Sequence, residues 1–295
     1  MELNVEKQRI GERPPIYTAL SIAGSDSGGG AGIQADLKTF QELGVFGMSV
    51  ITALTAQNTL GVNGISAIHP LFVKSQLEAL YDDFTIGALK TGMLFSAEII
   101  EVISEFLQQQ AWRQRPPIVV DPVMIAKGGA SLLQRDAAEA LKTQLLPLAT
   151  VCTPNISEAE VLAGLTIQRE GHIAEAASIL LSYGMDAVVM KGGHWQDDDC
   201  DRVVDYVFLQ NGTSFQLHAP RVATVHTHGT GCTFSAAITA QLAKGEELQQ
   251  AIITAKSYVH AAISNPLELG HGHGPTNHFA YHVVGDGGEV VYVEG

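Results

Sequence analysis

From Tyr17 onward, short apolar runs alternate with longer stretches of helical periodicity. Runs of this kind, punctuated by glycine and proline, predict a mostly parallel sheet flanked by helices. Strands are expected at residues 17–23, 49–54, 86–90, 118–121, 150–153 and 187–191, with helices filling the gaps. Two further runs, 205–209 and 214–217, flank Asn211 and Gly212, a pair that favours a type I′ turn and so predicts an appended antiparallel hairpin. A helix over 233–243 should stop at Gly245, and another over 248–264 should stop before Pro266. The expected fold is α/β, with one domain over 16–284 between loose ends at 1–15 and 285–295.

The helix after the first strand carries an acid on its apolar side. At about 100° per residue, Ile33, Leu37, Phe40 and Leu43 share a stripe, while Gln34, Lys38, Thr39, Gln41 and Glu42 lie opposite. Asp36 falls inside that stripe. A buried carboxylate is costly unless it meets a cation, a set of donors or a ligand. Pairing with a neighbouring loop would account for it. Its place just after Ser25, Asp26, Ser27, Gly28, Gly29, Gly30 and Gly32 points instead to a strand, glycine loop and helix where α/β sheets bind ligands. Gly30, Gly32 and Ala35 match a loose dinucleotide fingerprint, but no acid follows about 20 positions later to hold a ribose. No GxxxxGK[ST] phosphate loop occurs either.

Composition narrows the functional classes. The 295 residues carry a formal charge of −14 with only 17 Lys and Arg, which argues against a nucleic-acid surface. Cys152, Cys200 and Cys232 form neither a CxxC pair nor a disulfide framework. The start of the chain lacks the apolar stretch of a secretory signal, and no run of about 18 apolar residues appears. A cytoplasmic protein with no membrane partner is expected.

Three apolar runs end on polar residues: Asp121, Asn155 and Lys191. In a parallel sheet all three emerge on one edge, where α/β enzymes keep their sites. Loop chemistry explains each singly: Asp121 precedes Pro122, Asn155 can cap a helix, and Lys191 precedes Gly192 and Gly193. Together they offer what phosphoryl transfer needs, and Glu158 adds a second carboxylate suited to Mg²⁺ through water. Downstream, Gly229, Thr230, Gly231 and Cys232 open a helix of small residues, so its first amides make an anion site. A helix N-terminus lowers a thiol pKa, which makes Cys232 a candidate base; the alternative is a small buried hydrophobe.

The opening AGSDSGGGAGIQADLKTF, the stretches VITALTAQNTLGV and LKTGML, and the segments DPVM, TPNISEAE, MKGGH, GTGC and GHGHGP together resemble bacterial hydroxymethylpyrimidine and phosphomethylpyrimidine kinases of thiamine biosynthesis. The resemblance runs from about Tyr17 to His278. It implies a ribokinase-like three-layer sandwich, a homodimer, ATP with Mg²⁺, and two successive phosphorylations of a small aminopyrimidine alcohol. It further implies that Asp36 and Gln57 hold the pyrimidine, with Gly24, Met93 and Val123 around it. Gly229, Gly231 and Cys232 match the anion hole and base; Asp121 and Glu158 match positions around the metal; Asn155, Lys191 and Thr230 match the nucleotide phosphate side. Two features depart from the superfamily pattern. Many members carry Asp where this chain has Cys232, and AKGGAS stands where Ser is expected after Lys127, which bears on a flap at 127–129. The HGHG histidines lack acidic or cysteine company and read as a loop rather than a metal site. Two rivals stand beside this reading: a pyridoxal kinase on the same template and a non-catalytic heterocycle sensor.

Overall fold

A computed structural model describes residues 15–110, 115–124, 136–193, 201–284 and 290–294. The possible flap at 127–129 and Cys200 lie outside the described residues, as do residues 1–14, 285–289 and 295 of the expected loose ends. Chain order is β1 (Tyr17–Asp26), α1 (Gly32–Glu42), β2 (Val45–Asn58), β3 (Gly61–Ala67), α2 (Pro70–Tyr81), β4 (Ala88–Thr91), α3 (Ala97–Gln109), β5 (Ile118–Val120), α4 (Ala137–Ala140), β6 (Val151–Cys152), α5 (Ile156–Ala163), α6 (Glu170–Leu181), β7 (Ala187–Met190), β8 (Arg202–Leu209), β9 (Ser214–Pro220), α7 (Thr230–Ala243), α8 (Leu248–Ser264), α9 (Ala280–Val284) and β10 (Val291–Glu294).

The strands form one sheet in the order β10-β9-β8-β7-β6-β5-β4-β1-β2-β3. From β7 to β2 the pairing is parallel, and the outer strands on both sides pair antiparallel. Successive residues of a strand face opposite sides, which here gives two cores. Leu20, Ile22, Val120, Cys152 and Val188 join the core under α2 to α6, whereas Ala19, Val119, Val151, Ala187 and Val189 join the one under α1, α7 and α8. The three-layer sandwich follows directly. No described helix is long and apolar enough to cross a membrane.

Several expectations need correction. The edge strand β3 has no clean alternation of buried and exposed positions, and β2 runs well past the expected 49–54. At the other edge, Val291–Glu294 pairs with β9 instead of lying loose, and Tyr292 packs on Phe215 with ring centroids 5.0 Å apart. The β8–β9 turn is not type I′, because only Gly212 has positive φ, at 87°. Its amide donates to Leu209 O at 3.0 Å, a four-residue turn with glycine at the bulge position. Thr39 and Gln34 are not on an exposed face of α1. That helix is wedged between sheet and α7, so its buried face is wider than one stripe. Thr39 is fully buried and its hydroxyl donates to Ala35 O at 2.8 Å, while Gln34 Oε1 accepts from the Asp26 amide at 2.8 Å.

Candidate active site

The carboxyl ends of β5, β6 and β7 are adjacent, so the residues that follow them converge. Lys191 Nζ reaches Asp121 Oδ1 at 2.9 Å. Thr153 donates to the same oxygen and Ser235, on α7, to the other, each at 3.3 Å. Lys191 is fixed at its backbone, where its amide donates to Pro154 O at 2.8 Å beside an isolated bridge to Asn155. Asn155 and Glu158 make a capping box at the head of α5: the Glu158 amide donates to Asn155 Oδ1 at 2.9 Å and the Asn155 amide to Glu158 Oε2 at 2.8 Å. The cap accounts for Asn155 and brings Glu158 to the cluster.

The charges at this edge set each other. Burial works to discharge Lys191, but Asp121 and Glu158 outweigh it and hold its pKa above the ordinary lysine value. Burial likewise pushes Asp121 up, yet Lys191 and Lys90 prevail and keep it below the usual carboxylate range. For Glu158 burial wins: Lys191 opposes it, Asp121 adds to it, and the pKa is raised.

The glycine turn meets this cluster from α7. Gly229 caps the helix with φ 84°, and a Cβ there would fall 1.8 Å from Gly30 O, so the turn presses against the glycine loop after β1. A Cβ on Gly231 would lie 3.3 Å from Lys191 Nζ and 3.7 Å from Asp121 Oδ2. The missing side chain thus opens the head of α7 to the ion pair. Amides of a first helical turn have no acceptor within the helix, and Gly231 and Cys232 occupy that turn. The Thr230 hydroxyl donates to Thr227 O at 2.7 Å and ties the turn down.

Cys232 is half-buried, and the Gly32 amide hydrogen-bonds to it. The expected lowering of its pKa does not occur. Burial pushes the thiol up to about 11, because the pull of Lys90 is opposed by the charges of Asp36 and Asp121. Helix position alone was a poor guide where two buried carboxylates stand close by.

Of the residues implied to surround a heterocycle, Gly24 and Met93 do meet: a Cβ on Gly24 would lie 2.4 Å from Met93 Cε. Thr52 holds the Met93 backbone, donating to its carbonyl at 2.6 Å. Val123 is half-buried beside Asp121, whose carbonyl accepts its amide at 2.8 Å. Gln57 sits at the end of β2 against the glycine loop, with its amide donating to Ser27 Oγ at 2.9 Å. Asp36, the remaining residue implied to hold the ring, is enclosed by protein. It is fully buried, with Oδ1 on Lys90 Nζ at 2.8 Å and Oδ2 accepting from Ser21 Oγ at 2.5 Å. The cation it requires is internal, and no carboxylate oxygen is left exposed for a ligand. Burial works to discharge Lys90, but Asp36, Cys232 and Asp121 keep its pKa above the ordinary value.

Lys90 and Ser235 escaped sequence reasoning, and Asp26 and His228 stood in the two glycine segments without a role of their own. A lysine inside the apolar run of β4 was the available signal for Lys90. Asp26 had the Asx-turn signature of Asp before a Ser-Gly run. Its Oδ1 accepts from the Gly28 amide at 2.8 Å, and its Oδ2 from Gly30, Ala31 and His228 Nε2 at 3.1, 2.9 and 2.8 Å. Burial pushes Asp26 up, but the His228 bond and those amides bring it below its usual value.

The GHGHGP segment is a clamp made of loop backbone. Amides of His271 and Gly272 donate to Thr59 Oγ1 at 3.2 and 3.3 Å, and that of His273 to Thr59 O at 2.9 Å. Next to it, a cleft of about 560 Å³ is lined by residues including Val222, Val225, His226, Ser264 and Pro266. Its wall is therefore the segment that runs into the glycine turn.

A sequence profile of the phosphomethylpyrimidine kinase family matches residues 26–277. The chain is 57% identical over 266 residues to a hydroxymethylpyrimidine/phosphomethylpyrimidine kinase of Haemophilus influenzae, covering 90% of this chain and 98% of that one. It is 51% identical over 270 residues to the Bacillus subtilis protein of the same name, covering 90% and 96%. In structure it is similar to a Bacillus subtilis pyridoxal kinase solved as an ADP complex, with TM-score 0.82, 39% identity, and coverage of 91% and 100%. Glycine turn, strand-end ion pair and near full-length similarity agree: the chain belongs to the phosphomethylpyrimidine kinase family.

Proposed function

We propose that this protein transfers the γ-phosphoryl of ATP to 4-amino-5-hydroxymethyl-2-methylpyrimidine, and then phosphorylates the monophosphate to the diphosphate. The carrying observation is the meeting of Lys191 and Asp121 with Gly231 at the head of α7, at 3.3 and 3.7 Å from the position a Cβ would take. A transferring phosphoryl held there meets the amides of Gly231 and Cys232 and the Lys191 ammonium, which offset charge spreading over its equatorial oxygens. The acceptor oxygen attacks the γ-phosphorus as the bond to the bridging oxygen breaks, giving ADP with a phosphate ester in the first transfer, where the hydroxyl proton passes to solvent, and ADP with a diphosphate in the second. Thr230 holds the turn, and Asn155 steadies the strand end that bears Lys191. Cys232, kept protonated at neutral pH by burial, positions the hydroxymethyl group more than it ionises it. Gly24, Met93 and Val123 bound the ring, and Gln57 reads its polar edge.

Asp121 and Glu158 suit Mg²⁺ carried in by the nucleotide. The Thr153 and Ser235 bonds to Asp121 are long, at 3.3 Å, and two carboxylates plus phosphate oxygens form an ordinary magnesium set. Among the described residues no group of three or more His, Cys, Asp or Glu is assembled to hold a metal alone. When bound there, the ion supplies charge neutralisation on the phosphates. The cleft at Val222 to His226 takes the adenine side of the nucleotide. A homodimer through the β3 edge fits the exposed Phe46, Leu54 and Leu60 nearby, and a cytoplasmic location fits the composition.

A pyridoxal kinase is the second reading, favoured by the likeness to the Bacillus subtilis pyridoxal kinase. Turnover of the pyrimidine alcohol, its monophosphate and pyridoxal with Mg²⁺ and ATP decides. Use of both pyrimidines is expected; faster pyridoxal turnover with no use of the monophosphate would refute the proposal. Light scattering of the purified protein tests the dimer.

A further inference from the structure

His228 joins the glycine loop, the end of β2 and the turn that opens α7. Its Nε2 lies 2.8 Å from Asp26 Oδ2 and 3.2 Å from Gln57 Nε2. One imidazole nitrogen cannot serve both contacts in that arrangement. Asp26 below its usual carboxylate range is an acceptor only, and it already takes three backbone amides. Toward such a group Nε2 must carry a proton, and a protonated Nε2 cannot accept from an amide NH₂.

The other end of Gln57 leads to the same conclusion. Its Oε1 lies 3.2 Å from Thr55 Oγ1, whose own proton is directed to Ser25 O at 2.9 Å. A hydroxyl with its proton committed offers lone pairs, so it calls for an NH₂ and not for an oxygen. Half a turn about the last side-chain bond of Gln57 removes both mismatches, because the two ends of a primary amide have nearly the same shape: its carbonyl oxygen then shares the Nε2 proton with Asp26 in a three-centre bond, and its NH₂ donates to Thr55 Oγ1.

We infer that His228 holds an Nε2 proton on Asp26 and thereby sets Gln57 with its carbonyl oxygen toward the imidazole and its NH₂ toward Thr55, fixing the order of donor and acceptor that Gln57 shows to a ligand. One lone pair and one N–H are spent internally; one of each remains side by side. That edge pairs with a ring nitrogen next to an exocyclic amine in a single orientation. A ring with a carbonyl in place of the amine presents the opposite order and meets like against like. His228 is thus a positioning residue for ring specificity, an inference that rests on the aminopyrimidine reading of the site.

Long-range proton–nitrogen correlation spectra of the full chain with ¹⁵N-labelled histidine, at mildly alkaline pH, test the first half. His228, assigned by loss of its signals in His228→Met, should carry hydrogen on Nε2; a ring protonated on Nδ1 alone would overturn the inference. The second half is read from kcat/KM for the 4-amino alcohol over that for its 4-oxo counterpart. His228→Met should lower this ratio by about tenfold, the worth of one misplaced hydrogen bond. His228→Gln, which returns an N–H donor to the Nε2 position, should restore most of it. If His228→Met depresses both substrates equally and keeps the ratio, the role is structural only and the inference fails. A wild type that phosphorylates neither alcohol refutes the kinase reading instead, and the ring spectrum then decides the proton position by itself.

Discussion

Two lysine–aspartate pairs lie under α1 and α7 with nearly the same geometry and opposite uses. Lys90 and Asp36 meet at 2.8 Å with both side chains at 0% exposure. Lys191 and Asp121 meet at 2.9 Å, but the lysine side chain keeps 18% of its surface open. The sealed pair shows no surface to solvent, whereas the open pair does, and the proposed phosphoryl site stands on it. What separates them is the element overhead. Asp36 is roofed by its own helix α1, whereas Gly231 leaves a gap where any side chain would press on the Lys191 ammonium. Burial, more than the identity of the residues, decides which pair is open at the surface.

The largest effect should come from breaking the sealed pair. Lys90→Met leaves Asp36 with its charge uncompensated and should cost about 3–5 kcal/mol in urea unfolding, whereas replacing both partners with apolar residues should recover most of that. Asp36→Asn should likewise lose stability while the KM for the pyrimidine stays unchanged. An Asp36→Asn protein of wild-type stability with a raised KM would place Asp36 at the ligand after all and dissolve the contrast.

Next comes the open pair. Lys191→Ala should reduce kcat by about 10²–10³-fold, the usual loss for one transition-state donor, with less effect on stability than Lys90→Met. Asp121 retains the Thr153 hydroxyl and the nearby Lys90 charge, so its charge is not stranded. Steady-state kinetics and thermal melts on the same preparations check both halves.

A third pair sits between these extremes. Lys256 and Asp205 meet at 2.7 Å with 8% exposure each, and Asp205 Oδ1 also accepts the Gly192 amide at 3.0 Å. That bond anchors the turn directly after Lys191. Lys256→Met should destabilise the fold by about 1–3 kcal/mol and raise the KM for ATP with little change in kcat. A loss of stability with both constants intact would separate this pair from the site.

The contrast between the pairs also shows what was legible in the sequence. Asp121, Asn155 and Lys191 could be found because each ends an apolar run, and parallel neighbours bring strand ends together by topology alone. The acid in the stripe of α1 was equally visible, but its partner was not. Angular periodicity says that Asp36 points inward; it cannot say whether a lysine three strands later in the chain will be waiting. The β3 and β10 edges were missed for a related reason. Edge strands bury little, so their sequences carry no strong alternation, and it is the neighbouring strand that gives them their shape. Site residues set by local chain order were readable, and those set by packing across the sheet were not.

The smallest effect is the most informative about how far the sealed pair reaches. Lys90 is fully buried, yet its charge is among the forces that hold Cys232 from rising further, against burial and the two aspartates. The thiol should therefore titrate near about 11, well above the ordinary cysteine value, and alkylation by iodoacetamide should keep accelerating up to that pH. Cys152 is fully buried, so the rate measured in a Cys200→Ser background reports Cys232. Removing the ammonium in Lys90→Met should move the profile further alkaline, provided the variant is assayed at a temperature where it remains folded. A midpoint near neutrality in the wild type would restore Cys232 as a base and mean that the head of α7 outweighs both burial and the nearby carboxylates. A profile unmoved by Lys90→Met would confine the sealed pair to stability alone.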